Sequence, residues 1–224
     1  MLRSHIAWLM PVALAFGGFG LNVQSASAQT TYDTYEFTAN YNTLVEINPF
    51  NEDLGIIRAT ITGESTDSAP YGLDSFISNT YGQVQPSDNP SITKYNFNSD
   101  PGVFGLTDQP ILSDIYYGDG PNQLFGTAND SAEINFTEGT IKGAGTITIT
   151  DGTGIFENAT GTITFTEEDA LSSDGGPSVG LAILNFSIKT PRAVPEPTAT
   201  TALVGIGVTG AVLLRKHRRK TNFN

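Results

Sequence analysis

Apolar and polar side chains alternate with a period of two along much of residues 29–190, and this pattern limits the fold more than any other property of the chain. Tyr35, Phe37 and Ala39 are separated by Glu36 and Thr38, and Ile57, Ala59 and Ile61 by Arg58 and Thr60. Ile134 and Phe136 flank Asn135, Ile147 and Ile149 lie within a Thr-Ile-Thr-Ile-Thr run, and Ile163 and Phe165 repeat that form. Ala182, Leu184, Phe186 and Ile188 end the series. Successive side chains of a strand point to opposite faces, so each run buries one face and wets the other, here mostly through Thr. Gly, Asn, Asp and Pro fill the gaps, as turns require. No ten-residue stretch shows the spacing of an amphipathic helix. The pattern predicts an all-β domain, a single antiparallel barrel or sandwich. The middle of the domain is less regular: Ile92–Phe97 and Ile111–Tyr117 read as strands, and Leu171–Ser178 as the loop joining the last two.

Composition narrows the chemistry open to this domain. It has no Cys, so no disulfide staples it and no thiol nucleophile exists. Both histidines, His5 and His217, lie outside it, which removes the usual general base and zinc ligand. Of the 23 acids only Glu196 falls outside residues 29–192, where just five bases stand, a net charge of −17. Nucleic-acid binders need basic patches, so a nucleic-acid partner is not expected. About 160 residues suffice for one domain with its own core.

Three groups of residues carry some chemical interest. Glu167, Glu168 and Asp169 follow the Thr162–Thr166 strand, but neighbours on a strand diverge, and the triplet reads as a solvated strand end with no sign of the paired carboxylates of a glycosidase. Asp114 and Asp119, Asn129-Asp130 and Asp151 are loose candidates for calcium, the one cofactor considered, although none has the EF-hand spacing. Tyr71, Tyr81, Tyr95, Tyr116 and Tyr117 would stack on sugar rings if exposed together, and otherwise fill the core. No catalytic residue is assigned, and the domain is not expected to be an enzyme.

The two ends read as export signals. Arg3 and His5 precede an apolar stretch from Leu9 to Leu21, and Ala26-Ser27-Ala28 has the small-x-small form of a signal-peptidase site, so residues 1–28 are expected to be a cleaved signal peptide. At the other end Val194, Pro195, Glu196 and Pro197 lie in a short linker, residues 191–197. The prolines fix φ and keep the motif extended and accessible. Thr198–Leu214 follows without a charge, about 25 Å as a helix, at the short end of a membrane span. Arg215, Lys216, Arg218, Arg219 and Lys220 then form a basic tail, residues 215–224, that the positive-inside rule keeps cytoplasmic. This order resembles the PEP-CTERM sorting domain of exported bacterial proteins. The resemblance covers residues 193–224 and implies that an exosortase, a membrane-embedded protease, cuts near Pro195-Glu196-Pro197. It also implies a setting of exopolysaccharide and biofilm.

Within the domain, Gly152-Thr153-Gly154-Ile155-Phe156-Glu157-Asn158-Ala159-Thr160-Gly161 separates two clear strands. Gly152, Gly154 and Gly161 suit tight reversal, and Phe156 is placed to plug the core. The loop is similar to one in dirigent proteins and allene oxide cyclase-like barrels. That resemblance implies an eight-stranded antiparallel barrel whose interior is packed or holds a ligand; it brings no catalytic residues with it. Two functional expectations follow. The first is a non-catalytic surface or extracellular-matrix component, processed by signal peptidase and exosortase and in contact with the membrane and extracellular polysaccharide. The second is a dirigent-type barrel that binds or isomerises a small apolar ligand, which would show as a deep apolar pocket holding one or two ionisable side chains.

Overall fold

The computed structural model describes residues 31–192, and the predicted signal peptide, sorting motif, apolar segment and basic tail lie outside them. Nine strands form a single antiparallel sheet: β1 (Thr31–Asn51), β2 (Ile56–Ser65), β3 (Ser75–Gln85), β4 (Ile92–Asn98), β5 (Asp114–Tyr117), β6 (Gln123–Asn135), β7 (Thr140–Thr153), β8 (Thr160–Ala170) and β9 (Ser178–Arg192). Pairing runs β2-β1-β9-β8-β7-β6-β4-β3, and β3 pairs back onto β2, so the ring closes. β4 and β5 share one position between β3 and β6: β4 pairs with Tyr81–Gln85 and Asn129–Asn135, β5 with Ser75–Ile77 and Leu124–Gly126. The result is a barrel of eight strand positions. Closure removes most of the sheet edge, and what remains is on β1, where residues 31–40 lie outside the β2 ladder and residues 46–51 outside the β9 ladder. Among the described residues helical structure amounts to four short 3-10 turns, and no helix is long and apolar enough to cross a membrane.

The alternation read from the sequence decides which side chains enter the barrel. Ala39, Tyr41, Ile147, Ile149, Ile163, Leu184, Phe186 and Ile188 face the core, while the intervening Thr and Asn residues are exposed. Two expectations need correction. Ile111 is 65% exposed and the strand begins only at Asp114, because Leu112 N–H is drawn to the Ser99 carbonyl (2.9 Å) and not into a ladder. Phe136 is 58% exposed, because β6 ends at Asn135, whose side chain caps the turn by accepting from the Thr137 and Glu138 amides. At the far end β9 continues through Pro191 and Arg192, assigned above to the linker, with Arg192 opposite Thr31 and paired to Asp33.

One end of the barrel, where β1 begins and β9 finishes, is closed by aromatic rings. Phe156, in the 3-10 turn Gly154–Phe156, is fully buried, with ring centroids 5.2 Å from Tyr35 and 5.8 Å from Tyr71. Phe37 stacks on Phe186 at 4.3 Å, and Tyr116 meets Phe186 edge-on at 5.6 Å. Edge-to-face and stacked pairs each add about 1 kcal/mol beyond the area they bury. The turn that delivers Phe156 depends on glycine: Gly154 has φ +64°, and a Cβ at Gly161 would strike the Ser187 carbonyl oxygen on β9. Asp151 ties the loop by accepting from the Gly152 and Asn158 amides at 2.8 and 3.2 Å. Phe156→Ala should therefore cost about 3–5 kcal/mol of unfolding free energy, measurable as a lower urea midpoint; a shift below about 1 kcal/mol would mean the ring does not close this end.

Candidate functional site

The opposite end, ringed by the β1–β2, β3–β4, β6–β7 and β8–β9 connections, is not filled. A cavity of about 30 Å³ lies inside the barrel there, enough for roughly two waters or a small organic group. Its wall is mostly apolar, with Val45 and Ile47 from β1, Ile61 from β2, Tyr95 and Phe97 from β4, Ile141 from β7 and Phe165 from β8. Asp130, Glu167 and Asp169 also line it.

The acids enter through the same alternation that builds the core. Ile163, Phe165, Glu167 and Asp169 are successive inward positions of β8, and only Glu168 points out, where it pairs with Lys142 at 3.5 Å. The reading of residues 167–169 as a solvated strand end is thus wrong for two of the three: Glu167 is 8% exposed and Asp169 1%. The strand does not stop at Thr166; it continues to Ala170, paired with β9 as far as Val179. The signal was present in the sequence, because extending the period beyond Phe165 lands on 167 and 169. Asp130 comes from β6, and Asp114, at the start of β5, is fully buried nearby without lining the cavity.

The hydrogen bonding of these carboxyls is incomplete. Asp169 Oδ1 accepts from the Thr43 hydroxyl of β1 at 2.6 Å, but its Oδ2 and Glu167 Oε1 receive no hydrogen bond from outside the Glu167–Asp169 pair. Both Asp114 oxygens are unpartnered; the Ser78 hydroxyl and Asn79 amide lie near without reaching hydrogen-bond geometry. No described cation compensates. Arg58 sits against Phe50 and Tyr81, Lys94 and Lys142 pair with Glu133 and Glu168, Arg192 pairs with Asp33, and Lys189 is exposed. Burial consequently favours the protonated acids. It pushes Asp114 up to about 7, and Asp130 to about 7 with help from the Asp114 charge. Glu167 rises to about 8 through burial first and the Asp169 charge second. Burial also raises Asp169, while bonding to Thr43 and to Glu167 restrains the rise, so Glu167 is the member of this pair that keeps a proton.

The calcium candidates do not assemble. Asp114 is interior, Asp119 lies exposed in a turn, Asn129 and Asp130 point to opposite faces, and Asp151 is occupied by backbone amides. Among the described residues no group of three or more His, Asp or Glu is arranged to hold a metal ion. Nor do the tyrosines form an exposed platform: Tyr81 and Tyr116 are buried, Tyr95 lines the cavity, and Tyr71 leans on Tyr35 and Phe37. Gly152, Gly154, Phe156 and Gly161 stand together at the closed end. Ala26, Ala28, Val194, Pro195, Glu196, Pro197 and the basic residues 215–220 lie outside the described residues. No protein-family model matches the sequence, and neither a curated protein nor a solved structure matches it.

These acids make stability depend on pH with a definite sign. Their folded pKa values lie above the ordinary 3.8 and 4.5, so between those limits the native state holds more protons than the unfolded chain. Stability is then greatest below about pH 4 with respect to these groups and falls as pH rises to about 8, by up to about 1.4 kcal/mol per pH unit for each titrating group. Glu167→Gln should flatten this slope and, relative to the parent chain, gain up to about 3–4 kcal/mol between about pH 5 and pH 8. Urea unfolding at stepped pH measures it, and parallel pH curves for parent and variant would refute the assignment.

Proposed function

We propose that the chain is an exported PEP-CTERM protein whose β-barrel serves as a non-catalytic surface or extracellular-matrix component. The observation that carries the reading is the C-terminal order of Pro195-Glu196-Pro197, the uncharged Thr198–Leu214 stretch and the basic residues that follow. In this reading signal peptidase cuts after Ala28, the Thr198–Leu214 segment spans the inner membrane until exosortase removes it, and the acidic barrel reaches the cell surface and extracellular polysaccharide. The barrel suits such a role. Its sheet closes on itself, needs no disulfide, and its first and last described residues, Thr31 and Arg192, are paired at one rim. Its inward acids face a cavity of about 30 Å³, too small for a sugar chain, so a carboxylate hydrolase of polysaccharide has no support.

One observation favours a second reading. The apolar cavity with ionisable side chains is what a dirigent or allene oxide cyclase-like barrel, binding or isomerising a small apolar ligand, would need. The fold alone carries no function, so this rests on the cavity.

Expression of the full precursor in hosts with and without a PEP-type exosortase tests the first reading through the intact mass and location of the product. Loss of the tail near Pro195-Glu196-Pro197 only with the enzyme is expected. An uncleaved, membrane-held product in both hosts would reduce the tail to an anchor and remove the main support for the matrix role.

A further inference from the structure

We propose that the cavity at the open end of the barrel is a binding site for a short-chain primary alkylammonium, its head held by Glu167 and Asp169. The inference rests on the second reading above, that the barrel holds a small ligand, and names the ligand's chemistry.

Three features select a cation with a short apolar tail. First, two buried oxygens at the cavity, Glu167 Oε1 and Asp169 Oδ2, receive a hydrogen bond from no residue outside the pair, so both lack a donor once Glu167 gives up its proton, and both belong to side chains more than nine-tenths buried. Unsatisfied buried acceptors are costly, and an –NH3+ group offers three donors to them. Second, the charge in reach is all of one sign. Asp130 from β6 adds to the pair on β8, and the uncharged Thr43 from β1, Thr80 from β3, Tyr95 from β4 and Tyr116 from β5 lie near them. An anion is repelled, and a neutral alcohol gains no charge-assisted bond. Third, the remaining wall is hydrocarbon and aromatic, with Ile47, Ile61, Phe97 and Phe165 around the space, which favours an alkyl tail over a hydrated ion. A bare metal ion is disfavoured by the same wall and by the lack of a ligating cluster among the described residues. The volume, room for about two water-sized groups, limits the tail to about one carbon. Several lining residues, Ile47, Tyr95, Ala132 and Phe165 among them, are only half-buried although they point inward, so the cavity communicates with the barrel mouth.

Binding sets the ammonium against the proton for the same oxygens. Affinity should rise with pH as Glu167 and its neighbours ionise.

The test is calorimetric titration of the full chain with methylammonium chloride and, separately, with methanol of the same shape. Saturable methylammonium binding, about tenfold tighter near pH 9 than near pH 6, and about tenfold or more tighter than methanol, is expected. Glu167→Gln and Asp169→Asn should each weaken it about tenfold or more, while Asp114→Asn, outside the cavity, should leave it within about twofold. These substitutions remove buried charge, so folding is preserved, and unchanged circular dichroism confirms it. Equal affinity for methanol and methylammonium would overturn the ammonium assignment and leave a small-ligand site standing. No saturable binding of either probe would overturn both. An equal loss in Asp114→Asn would mean that overall charge, not the pair, attracts the amine, and would also overturn the proposal.

Discussion

The pairing of β2 with β3 is the contact on which the rest of the structure depends. Without it the sheet would be an open ribbon with two free edges in a chain that has no disulfide to hold them. With it, every strand has a ladder partner on each side over at least part of its length, and the inward residues of all strands share one enclosed space. Closure is achieved with one strand position built in two pieces. β4 and β5 lie end to end between β3 and β6, and the chain leaves the sheet between them from Ser99 to Ser113. The excursion is fastened where it leaves: Ser99, fully buried, exchanges bonds with Ala128 through its amide (3.0 Å) and its side-chain oxygen (2.8 Å). It also covers Tyr81, whose hydroxyl donates to the Pro110 carbonyl at 3.1 Å. Asp114, the first residue back in the sheet, is then turned inward by register.

Inside the closed ring the two ends are unlike. Toward the Thr31–Arg192 rim, interlocked aromatic rings leave no gap, and the hydroxyls that enter find partners, as when Tyr41 donates to the Leu73 carbonyl at 2.7 Å. Toward the other rim the strands supply acids and smaller apolar groups. Gly180 of β9 stands against Asp169 and Gly145 of β7 against Asp130, and neither position has space for a Cβ. The acids are therefore built into the packing, with small residues opposite them, and are not loose side chains folded back from the surface.

Much of this architecture was legible in the sequence because period two records which face of a strand is buried. The runs around Tyr35, Ile57, Ile147, Ile163 and Leu184 became strands with the stated inward faces, and the glycine-rich loop delivers Phe156 to the core as its composition suggested. What was not legible has physical causes. Ring closure depends on partners distant in sequence, such as Ile61 with Ser78 and Phe37 with Phe186, which no local pattern encodes. Ile111 is not in the sheet, although the apolar pair Ile111-Leu112 beside Pro110 looks like a strand, because the backbone bonds there go elsewhere. The carboxyls were missed for a different reason. Residue chemistry was allowed to end β8 at Glu167, when the backbone period continued through it. A buried acid looks like a surface acid until its register is counted.

That register bears on what the barrel is for. A carboxylate in a cation-free interior either keeps its proton or forfeits solvation, and hydrophobic replacements of similar volume are often neutral or stabilising. If shape retention were the whole task, positions 167 and 169 could be filled as 163 and 165 are, by Ile or Phe, and the cavity would shrink. The proposed matrix role would account for the signal-like order of residues at the two ends, the missing cysteines and the acidic outer face, but for none of the inward acids. Those acids cost least when something positive shares the space, a proton below neutral pH or a small cation above it. The outer surface acts in the same direction. A net charge of −17 over residues 29–192 repels polyanions and enriches small cations near the protein, the open mouth of the barrel included. Outer field, unpaired oxygens and apolar wall thus favour the same class of occupant, while the aromatic packing of the other end supplies stability that does not depend on that occupant being present.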